Sequence, residues 1–300
     1  MEQLLERFHQ YLFSVQKREW FERGILAVAI LGFFIHLLII YLGKWGILSV
    51  SETATLLTNP IAAAYTPFSF ILIYEVYLLV YYLPRSITTY ISKQYEIISL
   101  IIVRRLFKDL AALEITTDWF EIKGDLQFTY DIIASLLLFY LLYLFKRQGK
   151  KRLELAEGDA SAQRNLNFFI HLKKGISVLL VPVLAAIATY TLFLWTVGTL
   201  APETGLSESF KDINNIFFDD FFSILIIVDV ILLLCSFFLT HDFHKVFRNS
   251  GFIISTILIR LSFSVDELVS VVLIVSSVAF GLLILLIYNQ YEKAQQKGQI

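Results

Sequence analysis

Five stretches of this chain run for about twenty residues or more with almost no charge, and they constrain the fold more than any motif does. Gly24–Gly43, Ile176–Ala201 and Leu268–Tyr291 contain no Asp, Glu, Lys or Arg. Ile61–Leu83 contains only Glu75, and Phe221–Thr240 only Asp229. About twenty helical residues rise about 30 Å, the depth of the hydrocarbon layer. Backbone amides find no water there, so each crossing closes its own hydrogen bonds as a helix. The sequence predicts an all-α polytopic membrane protein. Composition agrees, with 57% hydrophobic and 17% charged residues, against about a quarter charged in soluble domains.

A sixth segment, Leu126–Phe145, carries one charge, Asp131. Two more are ambiguous. Ser86–Val103 holds Lys93 and Glu96, and Asp242–Ile259 holds Lys245 and Arg248. Basic residues gather on the cytoplasmic side of membrane proteins. With eight crossings and a cytoplasmic N-terminus, 18 of the 25 Lys and Arg fall inside and 7 outside; without the two ambiguous segments the split is 13 to 12. The rule selects eight spans with both termini cytoplasmic, in the inner membrane if the source is bacterial. The two polar spans belong inside the bundle, because charge facing lipid is costly.

Polar residues within the spans recur in order. Phe68-Ser69, Glu75-Val76 and Leu78-Leu79 match Phe222-Ser223, Asp229-Val230 and Leu232-Leu233 at an offset of 154. Ile97-Ile98-Ser99, Ile101 and Arg104 match Ile253-Ile254-Ser255, Ile257 and Arg260 at 156, and Phe128-Thr129, Asp131 and Ser135 match Phe263-Ser264, Asp266 and Ser270 at 135. Such self-similarity predicts two tandem four-helix repeats. An even number of spans per copy makes them parallel, related by an axis along the membrane normal. The expected organisation is an amphipathic interfacial helix at 1–23, a first repeat at 24–145, a basic cytoplasmic linker at 146–174 with a helical middle, a second repeat at 175–291 and a tail at 292–300.

Glu75 and Asp229 are the residues most able to carry chemistry. Each is the sole charge deep in its span, where carboxylates are rare and face the bundle interior. Ser99 and Ser255 are the matched hydroxyls of the polar spans. These four form the expected ion pathway, with close helix packing as the plainer role of the serines. Arg104 with Asp131, and Arg260 with Asp266, are expected to pair at the outer surface. The outer segments Asp109–Asp125 and Glu203–Asp220 each hold five acids and one base, a composition that concentrates cations or simply solvates loops.

The remaining signals are weak. His241 and His244 have helical i, i+3 spacing but no second ligand pair, and His36 reads as a hydrogen-bonded interior residue. No phosphate loop, nucleophile elbow or metalloprotease motif occurs. Cys235 is the single cysteine. No cofactor is expected, catalysis is not expected, and the net charge of −1 gives no reason to expect nucleic acid as a partner. The expected partners are the bilayer and a small cation, with a homo-oligomer compatible. The expected function is transport of that cation by a channel or secondary transporter. The alternative is a non-transporting sensor or assembly protein whose polar residues hold helices together.

Overall fold

The structure, a computed structural model, describes residues 2–46, 59–111, 123–153, 163–200, 221–235, 237, 242–265 and 267–297. Among these residues the chain is helical, with no strand. The helices are α1 (Glu2–Leu12), α2 (Val15–Lys44), α3 (Tyr65–Tyr82) after a short 3-10 turn, α4 (Ile87–Ala111), α5 (Lys123–Leu153), α6 (Gln163–Leu200), α7 (Phe221–Cys235), α8 (Phe243–Ser262) and α9 (Glu267–Gln296). Four stretches, Glu6–Lys44, Leu126–Gly149, Phe169–Ile187 and Leu268–Gln295, are long and apolar enough to cross a membrane, and Thr66–Tyr82 and Phe221–Cys235 are shorter apolar helices. The chain is an all-α integral membrane protein.

Two boundaries differ from those the sequence suggests. The amphipathic segment at 1–23 divides at Ser14, which is extended and accepts a hydrogen bond from the Lys17 amide at 3.2 Å. That capping ends the first helix early, so Val15–Arg23 forms the head of α2. The basic linker at 146–174 consists largely of span helices that continue beyond their apolar parts. No proline stops α5 before Leu153, and α6 already begins at Gln163. The 38 residues of α6 measure about 57 Å at 1.5 Å each, well beyond the hydrocarbon depth. Most of the expected helical middle of the linker, residues 154–162, lies outside the described residues.

Packing is organised around α4, α5, α8 and α9, which touch in a ring: α4 on α5, α5 on α9, α9 on α8 and α8 on α4. Helix α3 packs on α4, α2 on α3, and α6 meets α1 and α3. The polar helices α4 and α8 are deeply buried. Gln94, Tyr95, Ile97 and Ile98 of α4 are covered, as are Arg248, Asn249, Ser255 and Thr256 of α8. By contrast, α2 and α5 show Leu31, Phe34, Leu136 and Phe139 to the outside. The outside is apolar, as a lipid surround demands, and the mainly apolar core also encloses these polar groups.

Side-chain ties gather the helix ends into two groups. At one end Lys174 bonds Glu6 at 3.1 Å, Lys173 bonds the Arg85 carbonyl at 3.0 Å and Asn289 bonds the Gln148 carbonyl at 3.2 Å. His244 stacks there on Tyr288 and Tyr291. At the opposite end Phe68 stacks on Phe107, Phe222 on Phe263, and Arg260 bonds Ser223 at 3.1 Å.

Candidate functional site

The centre of the bundle holds a polar chain linking three helices. Asp229 of α7 accepts a hydrogen bond from Gln94 Nε2 of α4 at 3.0 Å, and Gln94 Oε1 accepts one from Thr256 Oγ1 of α8 at 2.9 Å. Asp229 is 3% exposed. A carboxylate removed from water with a single neutral donor is poorly compensated if ionised. The Tyr90 hydroxyl, one turn from Gln94, lies beside the carboxylate.

A cavity of about 20 Å³ adjoins Asp229, with Tyr90, Lys173 and Asn249 also in its wall and apolar side chains completing it. That is room for a water or two. Lys173 is 4% exposed. Its ammonium faces the Phe169 ring and donates to the Arg85 carbonyl, rather than pairing directly with Asp229. Arg248, also buried, donates through Nε and Nη2 to Asn249 Oδ1 at 3.1 and 2.8 Å and lies over the Tyr288 ring. The cavity can therefore hold a water, and among the described residues Asp229 is the acid and Lys173 the base in its otherwise mostly apolar wall.

The other expected pathway residues do not join this cavity. Glu75 is half-buried on α3, with Oε2 buried and without a hydrogen-bond partner. Its charged neighbours are Lys93, Glu96, Lys146 and Glu22. Glu96 is already shared by Lys93 and Lys146. Lys93 and Gln94 are successive residues, about 100° apart around α4, so the two acids look onto different faces of the same helix. Ser99 bonds the Tyr95 carbonyl of its own helix at 2.9 Å. Ser255 exchanges hydrogen bonds with Ser277 of α9 and meets the Tyr95 hydroxyl at 2.7 Å. Of the four, Asp229 lines the cavity.

Near the far end of α4 a charged group gathers around Asp131. Asp131 is fully buried; Arg105 grips both of its carboxylate oxygens, and Gln127 adds a bond at 3.0 Å. Arg104, the residue expected to pair with Asp131, is the neighbour of Arg105 on α4 and is itself buried. Arg260 bonds Ser223 and Ser264, and its expected partner Asp266 lies outside the described residues. Asp131→Asn is expected to lower stability in detergent by about 2 to 3 kcal/mol, somewhat below the full cost of breaking a buried pair because Arg105 retains some exposure. A thermal melt unchanged from wild type would refute that role.

His36 bonds Thr66 at 2.6 Å, an interior hydrogen bond. His241 lies outside the described residues, and among those described no cluster of three or more His, Cys, Asp or Glu is arranged to hold a metal. Sequence reasoning passed over Gln94, Tyr90, Lys173 and Asn249. One signal could have found Asn249: it lies 156 positions after Lys93, and Lys93 stands near Glu75 as Asn249 stands near Asp229.

Apolar helices of membrane-crossing length that bury a few charged and amide side chains beneath an apolar exterior define the class, an integral membrane protein. No family model, curated protein or solved structure matches the chain.

Proposed function

We propose that this is an eight-span membrane transport protein, built from two parallel four-helix repeats, in which Asp229 binds a small cation or proton during passage. The observation that carries the reading is the Asp229 carboxylate itself: buried, bonded by one neutral amide and adjoining a water-sized cavity. A carboxylate kept at such depth needs a proton, water or cation to offset its desolvation. Glu75 is the corresponding acid of the first copy, with Lys93 in place of Asn249 nearby. The test is ion and proton flux in proteoliposomes across a series of pH values and potentials. Absence of flux under every condition sinks the reading.

Three contacts support the repeat. Phe68 stacks on Phe107 at 4.7 Å, and Phe222, the counterpart of Phe68, stacks on Phe263 at 5.1 Å. Helix α4 touches its counterpart α8, and α5 touches α9, as a two-fold relation between copies requires. An experimental structure is expected to superpose Phe68–Arg104 on Phe222–Arg260 by rotation about an axis near the membrane normal. Superposition only after inversion counts against it.

The end carrying α1, Arg85, Lys174 and Lys245 is assigned to the cytoplasm by its basic residues. After replacement of Cys235, an impermeant thiol reagent applied from outside is expected to label Gly205→Cys and to spare Gly158→Cys. The reverse pattern removes the eight-span topology. The seam of Ser255, Ser277 and Tyr95 favours the second reading, a sensor or assembly protein held by polar contacts. Under that reading Asp229 substitutions alter stability and leave no flux to alter.

A further inference from the structure

We propose that the species Asp229 exchanges is a proton, and that Gln94 is the positioning residue that serves both forms of the carboxyl by turning its side-chain amide over against Thr256. The three side chains form one line across α7, α4 and α8. Gln94 Nε2 donates to Asp229 at 3.0 Å, and Gln94 Oε1 accepts from Thr256 Oγ1 at 2.9 Å. The same Thr256 hydroxyl lies 3.1 Å from the Phe252 carbonyl of its own helix. Gln94 and Thr256 are each 1% exposed, so their bonds must be completed within the bundle. A buried donor or acceptor left unmade there is costly.

The line closes for either form of the acid. With Asp229 ionised, its oxygen accepts the Gln94 N–H, and the Thr256 hydroxyl donates to Gln94 Oε1. With Asp229 protonated, the carboxyl brings a donor of its own. Turning the amide over then presents Oε1 to that O–H and the NH2 group to Thr256 Oγ1, while the Thr256 proton swings to the Phe252 carbonyl. Both spacings suit a donor and an acceptor in either order, and Gln and Thr carry both functions. The proton comes from solvent and returns to it; within the chain only an amide and a hydroxyl rotate. A metal cation takes several oxygen ligands, whereas among the described residues the polar ones in the mostly apolar cavity wall are Tyr90, Lys173, Asp229 and Asn249. The titratable groups facing Asp229 are Tyr90 of α4 and Lys173 of α6. Helix α8 presents neutral Asn249 to the cavity, and its Arg248 acts on Lys173. Lys173 offsets part of the desolvation of the ionised form and keeps that form accessible.

Passage of the proton rests on the reading of Asp229 as the residue that carries cargo; the response of Gln94 to the proton does not. The test is infrared difference spectroscopy between acidic and alkaline buffer on the full chain in detergent, with glutamine labelled by heavy nitrogen in its side-chain amide. Wild type is expected to gain a protonated-carboxyl band on acidification, together with a shift of a labelled amide band at the same midpoint. Both signals are expected to vanish in Asp229→Asn. Gln94→Met is expected to lose the amide shift and to move the carboxyl midpoint up by about one pH unit, because the bond to the ionised form is the stronger of the two it removes. Gln94→Asn keeps an amide but carries no label, so it removes the labelled signal should the methionine variant fail to fold. A carboxyl band without an amide shift overturns the proposal, as does an amide shift that persists in Asp229→Asn or in Gln94→Asn, or the lack of any titrating carboxyl at Asp229. Flux without these signals overturns this inference and leaves the transport reading standing. The signals without flux do the opposite.

Discussion

Proteoliposomes carrying Asp229→Asn are expected to pass cations or protons at least about tenfold more slowly than wild type, the loss that follows from raising a barrier by about 1.4 kcal/mol. The substitution keeps the shape of the side chain and the bond from Gln94 on its remaining oxygen. It removes the ability to take up and release a proton or neutralise a cation at a point where little else can. Glu75→Gln is expected to cost less, about twofold, because Glu75 shares its surroundings with Lys93, Glu96 and Lys146 and does not line the cavity. The two sites share no direct contact, so their effects should combine nearly independently in the double variant. Identical flux for wild type and Asp229→Asn would remove Asp229 from any pathway. Thermal melts of the same samples separate a lost pathway from a lost fold.

The apolar runs were legible because their physics is one-dimensional: length and absence of charge decide whether a segment can cross. The burial of α4 and α8 was legible by the same logic, since Lys93, Glu96 and Arg248 cannot face hydrocarbon. Pairing was not legible, because it depends on rotation about each helix. That Arg105 grips Asp131 could not be read from the chain, since successive residues stand about 100° apart around a helix. The bond from Gln94 to Asp229 joins residues 135 positions apart, and no local spacing signals it. Lys173 was hidden by its charge. A lysine beside an apolar run reads as the edge of a span, yet α6 carries it inward beneath Phe169 to the Arg85 carbonyl. The amphipathic start was legible as a stripe, but its length was not, because Ser14 is an ordinary residue until it caps a helix.

Gly281→Ala is expected to destabilise the protein by about 2 kcal/mol, although alanine is the better helix former by about 1 kcal/mol. A Cβ at position 281 of α9 would overlap the Tyr95 hydroxyl, with the ring carbon that bears it at 2.9 Å and Ser255 Oγ at 3.3 Å. Nothing in that corner yields easily. Tyr95 is fully buried, its ring edge-on to Phe145 at 5.0 Å and its hydroxyl bonded to Ser255 at 2.7 Å. Ser255 and Ser277 in turn bond each other's backbone carbonyls at 2.8 and 2.9 Å, which sets the spacing of α8 and α9. The absence of a side chain at 281 thus lets α9 approach α4 and α8 closely, the role small residues take between membrane helices. Gly281→Val should be worse, with little folded protein recovered. Tyr95→Phe should rescue Gly281→Ala in part, because it removes the atom that the new methyl meets first and leaves the ring carbon still close. In a double-variant cycle of detergent melts, the two changes are expected to couple by about 1 kcal/mol or more. If Gly281→Ala instead melts higher than wild type, helix propensity outweighs contact at this position, and the close three-helix seam does not form.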